Sequence, residues 1–243
     1  MTTNKWELIL DPALDGATNM AIDGELLAAI ESSTEPRTVL RFYSWIRPTI
    51  SYGRSQPKAK AVNIEFCRKA GIDVVRRPTG GRVVLHDDEL TYAVISNDPS
   101  YFSVDSIYET YKRISEALSQ GYRSLGVETV LAADTRLTSR QKDGSSYPCF
   151  ASPSRYELMV EGRKILGSAQ RRLRRSFLQH GSMPISCNRL LLAHATHLED
   201  AALLDSEMCG LADCLEELPN IDEMTDAFIE AFGHYFSVKF LPH

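Results

Sequence analysis

Two spacings of apolar residues divide the chain. Ile107, Tyr111, Ile114, Leu118, Tyr122 and Leu125 recur every three or four positions, which predicts a helix from about residue 105 to 125 that Gly126 can close. Ile221, Met224, Phe228, Phe232 and Phe236 make a second stripe, with Asp222, Glu223, Asp226 and Glu230 off it. Met20, Leu27 and Ile30 lie near helical spacing behind Thr18 or Asn19 as a cap, although Gly24 weakens the pattern, and a short helix is expected around 64 to 69. Elsewhere β-branched and aromatic residues predict strands at 38–43, 49–53, 72–77, 82–86, 90–96, 128–131, 156–160 and 164–166. The first two read as partners, the three between 72 and 96 as an antiparallel succession, and Glu161-Gly162-Arg163 as a tight hairpin turn. Residues 135 to 146, rich in Ser, Arg, Lys and Gly, read as a loop. The sum is an α+β protein, one domain over 1–243, with a mainly antiparallel or mixed central sheet flanked by helices. An acidic, helical segment is expected from about 195 to 243.

Composition narrows the class. A chain of 243 residues that is 43% hydrophobic can bury a full core. No apolar run approaches membrane-spanning length and the first residues lack a signal-peptide pattern, so a soluble, cytoplasmic protein without a membrane partner is expected. Five cysteines form neither a disulfide framework nor a CxxC pair, and His194 and His197 have no evident co-ligands, so no metal is expected. A net charge of −5 weighs against nucleic acid as a partner. The charge is unevenly placed: no acidic residue occurs between Gly162 and Leu198, and only Lys239 opposes the Asp and Glu residues that follow.

The candidate chemistry centres on Cys149, held between Pro148 and Pro153, and on Lys164 across the predicted hairpin. A nearby ammonium lowers a thiol from its reference pKa of about 8.5 and makes it nucleophilic, and a lysine can give and take the proton that acyl transfer moves. The plainer reading, a small buried apolar residue, holds for Cys67, Cys187, Cys209 and Cys214. Gly80-Gly81, following Arg76-Arg77, permits close backbone approach to a ligand oxygen, although a Gly-Gly hairpin turn has the same signature. His86 and His180 are rival bases, placed behind Lys164. The run Arg171, Arg172, Arg174 and Arg175 reads equally as a solvated turn or as a surface for an acidic partner.

Three segments in order carry a family resemblance. Gly80 to His86 running into Glu89 to Val94, Lys164-Ile165-Leu166-Gly167-Ser168-Ala169-Gln170, and Leu178-Gln179-His180-Gly181-Ser182 resemble the biotin/lipoate protein ligase and transferase superfamily, over roughly Trp6 to Ile185. Within it, the Pro148-Cys149-Phe150 and Ser154-Arg155-Tyr156-Glu157-Leu158 segments resemble octanoyltransferases of the LipM type. The resemblance implies the catalytic-domain fold of biotin protein ligases and class II synthetases. It implies octanoyl transfer from the phosphopantetheine arm of acyl carrier protein to a lysine of a lipoyl domain, such as glycine cleavage H protein or a 2-oxoacid dehydrogenase E2. Cys149 would be the acyl-accepting nucleophile and Lys164 its acid/base partner, taking a proton from the incoming amine if burial lowers its pKa. Arg77, Gly80, Gly81 and His86 would line the acyl pocket, with Gly167, Ser168 and His180 opposite, and the arginine run would dock the carrier. Exchange of one thioester for another is nearly isoenergetic, so no cofactor and no ATP are expected. The alternatives are an ATP-dependent lipoate or octanoate ligase, an amidotransferase between two lipoyl domains, and a catalytically silent carrier-binding protein, against which the presence of both Cys149 and Lys164 argues.

Overall fold

The computed structural model describes residues 4–103, 106–132, 156–198 and 200–242. In chain order the elements are β1 (Lys5–Leu10), α1 (Gly16–Ser32), β2 (Thr38–Tyr43), β3 (Thr49–Tyr52), α2 (Lys58–Ala61), α3 (Ile64–Lys69), β4 (Asp73–Arg76), β5 (Val84–His86) and β6 (Glu89–Ser96). They continue with α4 (Ile107–Ser124), β7 (Val130–Leu131), β8 (Leu158–Val160), β9 (Arg163–Lys164), β10 (Gly167–Arg172), β11 (Phe177–Pro184), α5 (Arg189–Ala195), α6 (Ile221–Phe236) and β12 (Lys239–Pro242). Six strands form a mixed sheet in the order β10-β11-β6-β2-β1-β12, antiparallel as far as β2 and parallel from β2 to β12.

Strand alternation sorts the core into two layers. On β2 and β6, Leu40, Phe42, Leu90, Tyr92 and Val94 face the layer built from the predicted stripes, including Ile114, Leu118 and Tyr122 of α4 and Phe228, Phe232 and Phe236 of α6. Val39, Tyr43, Ala93 and Ile95 face the other way, onto Met20, Leu27 and Ile30 of α1. Both strands are buried at every position, as a sheet covered on both faces requires. Helix α1 starts one turn earlier than the sequence suggests: Asp15, not Thr18 or Asn19, caps it by accepting from the Thr18 amide at 3.0 Å.

Strand pairing departs from the expected pattern. β3 does not pair with β2, whose edges are taken by β1 and β6; it forms a second sheet between β4, parallel, and β5, antiparallel. The expected succession of antiparallel strands from 72 to 96 is likewise divided, because β6 needs cover on both faces and lies inside the large sheet while β4 and β5 stay with β3. The C-terminal segment is not helical to its end: β12 returns beside β1, with Trp6 opposite Phe240. β7, β8 and β9 form a small antiparallel sheet, in which Val160 pairs with Arg163 across a turn of Glu161 and Gly162, both at positive φ. The polar segment at 135–146 lies outside the described residues.

Candidate active site

The glycine-rich segment between β4 and β5 is held by one side chain. Arg77 donates from Nε and Nη2 to the Gly80 carbonyl at 3.0 and 2.7 Å, from Nη2 to the Arg82 carbonyl at 2.6 Å and from Nη1 to the Ser51 carbonyl at 3.0 Å. A guanidinium can satisfy several carbonyls at once because its donors are fixed in one plane. The loop also lies directly on the chain at Gly53. A Cβ there would sit 2.0 Å from the Gly81 carbonyl oxygen, and Gly81 itself is at φ +87°, so both positions require glycine. The amide of Arg54 donates to the Thr79 carbonyl at 2.9 Å and ties down the near end.

Beside this loop is a cleft of about 330 Å³, counting the open solvent at its mouth, lined by Met20, Tyr43, Ser51, Arg77, Val84, His86, Thr91, Gly167, Ser168, Ala169, His180, Gly181 and Ser182. Five of the expected substrate-site residues therefore meet in one place: Arg77, His86, Gly167, Ser168 and His180. Gly80 and Gly81 are not among the lining residues; Gly81 lies at the rim, facing Ala169. Lys164 is not among them either. It is fully buried on β9, its Nζ 2.5 Å from Oε1 of Glu157, itself 2% exposed. Cys149 falls outside the described residues.

Two carboxylate–imidazole–hydroxyl chains form the floor. His180 Nδ1 donates to Asp23 Oδ2 at 2.7 Å, and its Nε2 is 2.7 Å from the Thr79 hydroxyl on the glycine loop. His86 Nδ1 donates to Glu89 Oε1 at 2.7 Å, and its Nε2 is 2.8 Å from the Ser51 hydroxyl, which in turn accepts from Arg77 at 3.3 Å. Both ring nitrogens of both histidines are thus engaged, so each enters the cleft by a ring face or edge, not as an open base. His86 also stacks on Trp45, ring centroids 4.0 Å apart. Burial pushes the His180 imidazole below its ordinary range and outweighs the pull of Asp23, so at neutral pH Asp23 accepts from a neutral ring. Burial works to raise the Asp23 carboxyl as well, yet His180 and Arg41 together hold it low. Its charge partner is Arg41, fully buried, at 2.8 Å. Burial and the Asp23 charge together raise the Tyr43 hydroxyl, which donates to Asp23 at 3.0 Å, well above its ordinary range.

Opposite, Ser168 meets the Tyr92 hydroxyl at 2.8 Å, and Gln179 donates to the same hydroxyl at 3.0 Å; burial pushes Tyr92 up to about 12. The basic run does not act as one face. Arg172 reaches Thr110 at 2.6 Å and the Ser106 carbonyl at 3.0 Å, buttressing the start of α4, and Arg175 donates to the carbonyls of Glu31 and Ser33. Arg171 is half-buried beside Pro78 and Arg174 is exposed. Cys67, Cys187, Cys209 and Cys214 are all raised by burial, Cys187 and Cys209 to about 12, as apolar filling residues should be. Among the described residues no group of three or more His, Cys, Asp or Glu could hold a metal ion, and no helix is long and apolar enough to cross a membrane.

A glycine loop braced by Arg77, a cleft beside it and a buried lysine on the β8–β9 hairpin are set in an α/β fold built on a six-stranded mixed sheet. Residues 15–233 match the lipoyl protein ligase A/B catalytic domain family, and the chain belongs to that family. Its full length is 38% identical to octanoyltransferase LipM of Exiguobacterium, covering 90% of that protein, and 34% identical to octanoyltransferase LipM of Moorella thermoacetica, also covering 90%. In fold it is similar to a lipoate-protein ligase A bound with ATP, with a TM-score of 0.77 and 21% identity over 98% of this chain and 88% of that one.

Proposed function

We propose that this chain, an octanoyltransferase of lipoate assembly, carries the acyl group on its own cysteine. In this reading Cys149 attacks the thioester of octanoyl acyl carrier protein, the carrier thiol departs, and the lysine of a lipoyl domain then takes the octanoyl group as an amide. Lys164 moves the protons, and the alkyl chain lies in the cleft against Met20, Tyr43, Val84 and Ala169. The backbone of the Arg77-braced loop would receive the thioester oxygen. The observation that carries the reading is the conjunction of that cleft, largely apolar and floored by residues with no open base, with a buried ammonium on the hairpin that follows the cysteine segment. A neutral fatty chain fits such a lining, and the chemistry must come from outside the floor. Exposed Arg174 and half-buried Arg171 are the members of the basic run left to meet an acidic carrier. Glycine cleavage H protein and 2-oxoacid dehydrogenase E2 domains are the acceptors expected.

The test is transfer without nucleotide. The purified chain, octanoyl acyl carrier protein and a lipoyl domain are combined with no ATP, and octanoylation of the acceptor is followed by mass. Transfer should proceed, and Cys149→Ala should abolish it. Octanoylation that needs ATP and free octanoate, and survives Cys149→Ala, would make the chain a ligase.

A further inference from the structure

Glu157 stands outside every role described so far, yet its placement is costly. Tyr156, immediately before it, has φ +68°, a left-handed backbone that bulky residues avoid, and this turns the chain so that Glu157 points inward. The backbone is pinned there by Ala132, whose amide donates to the Glu157 carbonyl at 2.8 Å and whose carbonyl accepts from Tyr156 at 3.2 Å. Lys164 is pinned as firmly: its amide donates to the Glu207 carbonyl at 2.9 Å, and its carbonyl accepts from Cys209 at 3.0 Å. The strained turn and the two anchored strands bring Nζ and Oε1 to 2.5 Å, both out of water. A buried ion pair adds little net stability over apolar packing, so an arrangement this constrained points to a use in the reaction.

We propose that Glu157 is a positioning residue of the transfer reaction, fixing Lys164 and accepting the proton that Lys164 takes from the reacting thiol. The inference rests on Lys164 being the acid/base group of the reading above. It removes the need for a neutral lysine at rest. An N–H bond of the Nζ ammonium breaks and an O–H bond forms on Glu157, which frees a lone pair on Nζ; as the thiol approaches, its S–H bond breaks and a new N–H bond forms there. The nitrogen is an ammonium before and after, and the negative charge has moved from the carboxylate to the sulfur. The sulfur electron pair then attacks the thioester carbonyl, and the departing carrier thiolate, leaving with the carbon–sulfur electrons, recovers the proton by the reverse path. Atoms and charge balance with no added reactant. A lysine alone would be a fixed charge, whereas the pair makes it a relay.

Glu157→Gln keeps the size and an oxygen acceptor but cannot take the proton. Steady-state transfer from octanoyl acyl carrier protein to a lipoyl domain should lose about 100-fold or more in kcat with KM nearly unchanged, in the range that acid–base groups contribute. Glu157→Asp, which restores a carboxylate, should recover at least part of that loss, which a purely structural role for the side chain would not give. Single-turnover rates read by intact mass complete the cycle: in a Lys164→Met background, Glu157→Gln should have no further effect, because both act through one step. A folded Glu157→Gln protein with kcat within about threefold of wild type, or losses that multiply with those of Lys164→Met, would overturn the proposal. If the Gln variant does not fold, Glu157→Asp decides alone, since a folded Asp variant no faster than Lys164→Met would overturn it equally. A Lys164→Met protein of undiminished rate would instead sink the underlying assignment of Lys164.

Discussion

At the scale of single residues, the glycine loop hangs on Arg77, whose fork reaches the carbonyls of Gly80, Arg82 and Ser51. Lysine carries the same charge on one nitrogen and cannot span them. Each charge-assisted bond lost costs about 1.5–3 kcal/mol, so Arg77→Lys should loosen the loop and lower kcat/KM for the octanoyl donor by tenfold or more. A variant with unchanged kcat/KM would show that the loop keeps its shape without the fork. Several residues that build the site were legible only as anomalies. Asp23 falls in step with Met20, Leu27 and Ile30, and Arg41 interrupts the apolar strand 38–43; a charge inside an apolar pattern signals a buried pair, and these two bond to each other. Arg77, His86, Ser168 and His180 were legible through the family motifs. Their partners Ser51, Thr79 and Glu89 were not, because hydroxyls and carboxylates that satisfy a histidine leave no periodic trace. Gly53 was invisible for a different reason: it is required by a neighbour 28 positions away in the sequence, whose carbonyl oxygen fills the space of its missing side chain.

At the scale of elements, the two strongest stripes form the helices predicted and share one core layer, and the closeness of α4 to α6 depends on one position. A Cβ on Gly121 would lie 2.2 Å from Cδ1 of Phe228. Alanine gains roughly 1 kcal/mol in helix propensity, and overpacking typically costs about 1–3 kcal/mol, so at this distance the clash should prevail. Gly121→Ala should lower the urea midpoint; a midpoint unchanged or raised would mean that α6 yields without cost. Helices were legible because a 3.6-residue period over four or five turns is hard to mimic. Strand partners were not, since β2 and β3 are alike in carrying β-branched and aromatic residues and only the occupied edges of β2 send β3 into another sheet. β12 escaped notice for its length: four residues following Ser237, a left-handed C-cap, carry no pattern of their own.

At the scale of the whole molecule, the buried floor of the cleft ties stability to pH. His180 is pushed down by burial in the folded state, so an unfolded chain binds the imidazole proton first as pH falls. Its stabilising contribution is complete above about pH 6.5 and is lost on acidification from there, at up to about 1.4 kcal/mol per pH unit. Asp23, held low, adds a contribution present above the ordinary carboxylate range and lost as pH drops through and below it. Urea unfolding at pH 8, 6.5 and 5 should therefore show a decline between the last two that is smaller in His180→Gln; equal declines would remove His180 from the account. The cleft and the Glu157–Lys164 pair are distinct sets of residues, and the function proposed for Cys149 requires its sulfur to work with both. Trapping the acyl intermediate would show whether that sulfur carries the octanoyl group. The chain is mixed with octanoyl acyl carrier protein alone, quenched in acid within one turnover, digested and read by peptide mass. An octanoyl increment, labile to hydroxylamine, is expected on the peptide containing Cys149; an increment on another residue, or none while transfer to a lipoyl domain proceeds at full rate, would rule out Cys149 as the acyl carrier.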